Sequence, residues 1–190
     1  NHFRLALHLS LALFILSLIF WYILDCFNTK KFDIKISNLF LLFIFKLIIL
    51  QIVLGAFLSG LDGGLIYNTW PDMNGTFFPS DVLFRDLFTS EFFYNTSIIQ
   101  FFHRFTAYIL VMLILIMNYL FIKNRIGIKY IIFFDLALFI QIILGVVTLK
   151  SGVEIKYASL HQLGSIFVLT SYLLILYKTS CIPFRFGKNP

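Results

Sequence analysis

The sequence predicts an all-α integral membrane protein with five transmembrane helices, and three observations carry that reading. The 190-residue chain is 60% hydrophobic and only 13% charged, with a mean hydropathy of +0.93. Five apolar runs are long enough to cross about 30 Å of hydrocarbon. The basic residues gather in alternate connecting segments. A soluble domain is about half apolar and about a quarter charged, so this composition excludes one.

The runs cover residues 5–25, 38–59, 98–122, 130–149 and 157–178. In lipid each must be helical, because every backbone polar group needs an internal partner. Lys30, Lys31 and Lys35 follow the first run, Lys123, Arg125 and Lys129 the third, and Lys178, Arg185 and Lys188 the last. The other side holds Arg4, Arg85, Lys150 and Lys156, with Asp62, Asp72, Asp81, Asp86 and Glu91 in one loop. The positive-inside rule then places the N-terminus outside and the C-terminus inside. The same arrangement removes nucleic acid as a partner, since the net charge of +6 sits in short loops and forms no phosphate-binding face. Cys26 and Cys181 have no CxxC or CxxCH spacing, so they support neither a zinc site nor covalent heme attachment. The first residue is Asn1, with no initiator Met and no signal-peptide pattern, and the expectation is a fragment or a processed product.

The segment 60–97 is the one sizeable loop. "GLDGGLIYNTWPDMNGTFFP" (60–79) mixes glycine turns with Tyr67, Trp70, Phe77 and Phe78, as expected of a loop folded over a membrane-embedded bundle. After Pro79, Ser80 is positioned to cap a short interfacial helix in which Phe84, Phe88 and Phe92 repeat every four residues.

An internal repeat organises the rest. "LQIVLGAFLSG" (50–60) and "IQIILGVVTLKSG" (140–152) each carry Gln, three apolar residues and Gly near the outer end of a span. Each is followed by a span that opens with a histidine, His103 or His161. The first span, with His8, aligns with the last. The expected domains are therefore residues 1–27, the last helix of a truncated N-terminal four-helix half; 28–37, an inner loop; 38–178, a four-helix bundle with outer loop 60–97; and 179–190, an inner tail. About three helices would precede the chain.

His8, His103 and His161 all fall within the first turns of inward-running helices. Each has a small residue four positions on, Ala12, Ala107 and Ser165, one turn deeper on the same face. Gly164 and Thr106 add room. Arg4, Arg104 and Lys156 supply a nearby cation. Imidazole is a standard axial ligand of heme iron, a flat macrocycle needs such space, and its propionates need cations. A single histidine near a helix end is ordinarily interfacial, and small residues ordinarily serve packing. Three at one depth with matching neighbours favour ligation. Zinc is disfavoured, since no Cys, Asp or Glu converges with them, and His2 lies outside the pattern.

"GAFLSGLDGGLIYNTWPDMNGTFFP" (55–79), "QFFHRFTAY" (100–108), "LGVVTLKSGVEIKYASLHQ" (144–162) and "FRLALHL" (3–9) closely resemble the heme A synthase family of cytochrome-oxidase assembly, in its alphaproteobacterial and mitochondrial branch. The resemblance covers nearly the whole chain and matches the last five of the family's eight helices. It implies that His103 and His161 hold a permanent heme b, with Arg104 beside it, and that His8 is a ligand of the substrate heme O. It implies oxidation of the heme O C8 methyl to a formyl group, giving heme A. It also implies a bacterial cytoplasmic or mitochondrial inner membrane, a heme O synthase and an electron donor as partners alongside membrane lipid, and leaves a homo-oligomer open. The family's other substrate-site histidine and its essential glutamate lie on helices absent here, so this chain alone is expected to be catalytically incomplete. Outer-loop cysteine pairs of some branches are missing.

Two other classes stay open at this stage: a b-type cytochrome that only transfers electrons, and a heme-free transporter half with an internal repeat. Lys46 and Asp135 lie inside spans and outside the heme argument. Similar depths in the repeat lead to the expectation of an ion pair or shared polar pocket, with snorkelling to the headgroups as the alternative.

Overall fold

A backbone in hydrocarbon must satisfy its own polar groups, which leaves helices or closed barrels. The computed structural model of the chain, which describes residues 2–27, 31–32 and 36–179, resolves that choice as helices. In order they are α1 (His2–Cys26), α2 (Asn38–Gly60), α3 (Thr96–Asn124), α4 (Ile128–Lys150) and α5 (Ile155–Lys178). Among the described residues these five are long and apolar enough to cross a membrane. The protein is an all-α, multi-pass membrane protein. Lys30, Lys35, Arg185, Lys188 and Cys181 lie outside the described residues, while Cys26 is exposed at the end of α1.

The helix ends follow local chemistry. Asn95 caps α3, its side chain accepting from the Ile98 N–H at 3.1 Å, which satisfies one of the free amides of a helix start. The α3–α4 turn is closed by Arg125 and Gly127 at φ 52° and 70°, a left-handed backbone in which glycine is unstrained.

Packing pairs α2 with α3 and α4 with α5 most extensively; thinner α2–α5 and α3–α4 contacts join the pairs, and α1 lies against α2 and α5. The core is made by residues spaced three and four apart. Leu41, Ile44 and Ile48 of α2 meet Leu110, Ile114, Met117 and Phe121 of α3, Phe134 of α4, and Leu169, Tyr172 and Leu176 of α5. Tyr172 donates to the Leu41 carbonyl at 2.8 Å, so its hydroxyl is satisfied where it is buried. All of these residues lie at the middle of their helices or in the halves remote from the 61–95 segment. The dense core therefore fills one half of the molecule. The other half, the loop end, carries the histidines.

The loop end is folded down onto the helices. Tyr67, Met73 and Val82 are buried, and Asn68 donates to the Leu149 carbonyl of α4 at 2.9 Å. Gly64 lies so close to Val153, in the α4–α5 turn, that an added Cβ would meet its Cγ2 at 2.4 Å. The expected helix capped by Ser80 does not form. Two short 3-10 turns, Phe84–Phe88 and Ser90–Phe93, take its place and begin where Asp86 accepts from the Leu83 N–H at 3.0 Å. The four-residue phenylalanine spacing is thus split: Phe84 and Phe88 remain exposed and meet edge to face at 5.5 Å, while Phe92 packs on Phe102.

The expected partnership of Lys46 and Asp135 is also corrected. Asp135 accepts from Asn118 Nδ2 of α3 at 2.9 Å, and Lys46 is exposed. Ion pairs among the described residues include Arg85–Asp86 at 3.7 Å and Lys156–Glu154 at 2.9 Å. One position in a helix turns a side chain about 100°, enough to aim Asp135 at α3 while Lys46 faces outward.

Candidate functional site

α3 and α5 both start at the loop end. At 1.5 Å per residue His103 lies about 10 Å and His161 about 9 Å from its helix start. Both rings are half-buried.

Each ring rests on a glycine of the preceding helix. A Cβ built on Gly55 of α2 would meet His103 Cε1 at 3.2 Å, and one on Gly145 of α4 would meet His161 Cε1 at 2.9 Å. The glutamine one turn before each glycine completes the contact. His161 Nδ1 lies 3.1 Å from the Gln141 carbonyl oxygen, and Gln141 Nε2 donates to the His161 carbonyl at 2.9 Å. Gln51 Nε2 lies 3.4 Å from His103 Nε2. A carbonyl can only accept, so the His161 contact requires hydrogen on Nδ1 and leaves a lone pair on Nε2. His103 Nδ1, Gln51 Oε1 and Gln141 Oε1 are buried without a partner.

These features fit an iron macrocycle held by two imidazoles. The glycines make room for the two rings, the His161 hydrogen bond selects one imidazole tautomer, and buried polar atoms stand unsatisfied beside the rings. Among the described residues no group of three or more His, Cys, Asp or Glu comes together to hold a metal ion. Gly164 does not widen the space as its size led one to expect: the Gln141 amide oxygen occupies it, 2.1 Å from where a Cβ would be. Ser165 donates to the Gln162 carbonyl at 2.6 Å.

His8 is exposed. It follows the buried Ala6 by two positions, about 200° round α1, and so faces away from α2 and α5. His2 packs on Phe3, Phe57 and Tyr94. Arg4 is exposed, and Lys156 is paired with Glu154 at 2.9 Å. Arg104 is the anchor of the loop, donating from NH1 to the Thr69 and Asp72 carbonyls at 2.9 and 2.6 Å and from NH2 to that of Tyr67 at 2.7 Å. Gln100 reaches the Tyr67 carbonyl at 3.0 Å and the Tyr108 hydroxyl that of Pro71 at 3.0 Å.

A second polar knot lies beneath the loop. The Tyr67 hydroxyl and the Ser97 hydroxyl both donate to the Asp81 carboxylate. Burial alone would raise Asp81, but the bonds from Ser97 and Tyr67 outweigh it and hold the carboxyl below its ordinary value. Tyr67 is pushed up by its burial and by that bond to Asp81.

The COX15-CtaA family of cytochrome oxidase assembly proteins, compared as a sequence model, matches residues 1–173. The chain belongs to the COX15-CtaA family. It is 68% identical over 180 residues to the heme A synthase of Pelagibacter ubique (strain HTCC1062), covering 95% of this chain and 54% of that one. Identity to the heme A synthase of Wolbachia pipientis wMel is 39% over 180 residues, with 93% and 50% covered. For that of Rickettsia bellii (strain OSU 85-389) it is 37% over 178 residues, with 90% and 52% covered. The chain thus spans about half the length of these COX15-CtaA relatives. No solved structure matches it.

The Gln-x-x-x-Gly repeat and the histidines of this COX15-CtaA chain are both legible in its sequence, whereas their contact is what the structure adds. The joining signal was present in the spacing: each repeat precedes its histidine by one loop, and helices joined by a loop are neighbours. The Tyr67–Asp81–Ser97 knot left no comparable trace, since its members are separated by loop geometry alone.

Proposed function

We propose that this chain is the part of a heme A synthase that carries a resident heme b, with His103 and His161 as its iron ligands. One observation carries the reading: two half-buried imidazoles lie at the loop end of α2–α5, each seated on a glycine of the preceding helix. The heme A synthases to which the chain is similar support its place in such an enzyme.

Residues 38–178 are read as one four-helix bundle, pseudo-symmetric with a second bundle whose last helix is residues 1–27. His8 then belongs to that second unit as a ligand of the substrate heme O, in keeping with its outward aspect. Segments 28–37 and 179–190 face the inside, and loop 60–97 the outside, of a bacterial cytoplasmic or mitochondrial inner membrane, as the lysine and arginine asymmetry supports.

Converting the C8 methyl of heme O to a formyl group is an oxidation, so electrons must leave the substrate. A bis-histidine heme supplies electron transfer when bound. The chain's residues prepare that site. Gln141 fixes the His161 tautomer, the glycines admit the rings, and Arg104 draws loop carbonyls down over the mouth and is the cation a propionate would share. The electron donor, a heme O synthase and any second copy of the chain are proposed partners.

The test is complementation. Cells lacking the gene regain extractable heme A when given the full gene and fail to do so with His103→Ala or His161→Ala. A b-type spectrum restored by the full gene without any heme A would replace this reading with that of an electron-carrying cytochrome. The single histidine pair within α2–α5 is the observation that favours that second reading.

A further inference from the structure

The two Gln-x-x-x-Gly stretches differ in how they hold their imidazoles, and that difference goes beyond the proposed function. In a helix the carbonyl of residue i already accepts from the N–H of residue i+4. A side chain at i+4 stands beside that carbonyl, and an imidazole from another helix would collide with it. At Gly145 nothing stands there. The His161 ring turns its Cε1 edge to the bare backbone, with Cε1, Nδ1 and Nε2 2.9, 3.4 and 3.6 Å from the position of an added Cβ. Nδ1 thereby reaches the carbonyl of Gln141 at 3.1 Å. The Gln141 side chain, wedged against Gly164, fastens the His161 backbone from the other side.

Gly55 repeats the arrangement for His103 with slightly more room, at 3.2, 3.7 and 4.0 Å for Cε1, Nδ1 and Nε2. Here Nδ1 closes no hydrogen bond. The Gln51 amide instead lies 3.4 Å from Nε2, on the lone pair that iron would use.

We propose that Gly55 and Gly145 are positioning residues, each baring a helix face so that one imidazole lies against it with Nδ1 turned to the backbone and Nε2 presented as the ligand atom. The proposal rests on the reading of His103 and His161 as heme ligands. It adds a ranking: Gly145 holds its ring tightly through a closed hydrogen bond, and Gly55 holds its ring loosely, with Gln51 guarding the lone pair until it is displaced. A Cβ at Gly145, closer than real Cβ contacts allow, must move the His161 ring and break the bond to Gln141. A Cβ at Gly55 needs only a few tenths of an ångström.

Two readouts separate this from the ligand reading. The first is the full chain in lipid without heme, carrying ¹⁵N-histidine, studied by solid-state NMR. His161 is expected as a single Nδ1–H tautomer in the wild type and as a mixture in Gly145→Ala. The second is the full chain loaded with heme b, studied by low-temperature EPR of the ferric form, whose largest g value follows the angle between the imidazole planes. Gly145→Ala is expected to shift that g value and reduce heme retention several-fold, and Gly55→Ala to shift it less. Unchanged tautomer and g value in Gly145→Ala, with a bis-imidazole signal in the wild type, would overturn the glycine seats and leave the ligands standing. A tautomer change in Gly145→Ala without any bis-imidazole signal in the wild type would keep the seats and overturn the ligand reading. Should Gly145→Ala fail to accumulate in membranes, Gly55→Ala is decisive: a shifted g value supports the seats, and an unshifted one overturns them.

Discussion

Asn118 Nδ2 donates to Asp135 Oδ2 at 2.9 Å, joining α3 to α4 within the span. Asn118 Oδ1 is buried without a partner, so the bond to this carboxyl is what ties the amide in place. Replacing Asn118 by Leu strands the carboxyl in a poorly solvated setting and is expected to cost about 1–3 kcal/mol. Asp135→Asn keeps a polar partner and is expected to cost less. Thermal unfolding in detergent, followed by helical circular dichroism, ranks the two.

Lys46 belongs to a different account. It is exposed on α2 and shares no partner with Asp135. The effects of Lys46→Leu and Asp135→Asn are therefore expected to add within about 0.5 kcal/mol in a double-mutant cycle. A coupling of about 1 kcal/mol or more would restore the ion pair that repeat alignment favours.

That pair shows what the sequence can and cannot carry. Span positions were legible because hydrocarbon thickness and backbone satisfaction leave few alternatives, and the helices extend the expected runs by no more than three residues at either end. The two histidines were legible because costly groups in a span need a reason. The azimuth of a side chain was not, because an alignment shifted by one residue rotates it about 100°. Lys46 and Asp135 differ by such a step. The loop was legible in kind, from its aromatics, but not in detail. Asp86 binds the Leu83 amide and starts a turn where the phenylalanine spacing favoured a helix from Ser80.

Arg104 commits NH1 and NH2 to three carbonyls of residues 67–72. Lysine offers a single ammonium with no planar fork, so Arg104→Lys keeps the charge and loses the geometry. The expected result is several-fold faster amide hydrogen exchange and proteolytic cleavage across 67–72, with the five helices unaffected. Equal protection in Arg104→Lys and the wild type would show that Gln100, Tyr108 and the Asp81 knot suffice to hold the loop.

The Asp81 knot sets two limits on loop docking with pH. Asp81 is held below the ordinary carboxylate value of about 3.9 by Ser97 and Tyr67 against the opposing effect of burial. A depressed carboxyl stabilises the docked loop above its unfolded value, and that stabilisation disappears as pH falls through the lower, folded value. Tyr67 is raised above its ordinary value of about 10 by burial and by its bond to Asp81. Its contribution is complete below that value and is lost as pH rises through the folded one. Trp70 fluorescence is expected to report an undocking limb at each extreme. Asp81→Asn should remove the acid limb, and Tyr67→Phe the alkaline one.

His8 gives the sharpest test of the two-unit reading. His103 and His161 both lie near the loop end of α2–α5, each against a glycine of the preceding helix, whereas His8 is exposed on α1. If α2–α5 form a complete heme-binding unit, His103→Ala and His161→Ala each remove the b-type band from the reduced-minus-oxidised spectrum, because one imidazole cannot keep a six-coordinate iron. His8→Ala is expected to leave the amplitude and position of that band unchanged, since its ring has no path to the pair except through α2 or α5. Loss of the band in His8→Ala would place all three histidines in one pocket, and the division of the chain between residues 1–27 and 38–178 would fall with it.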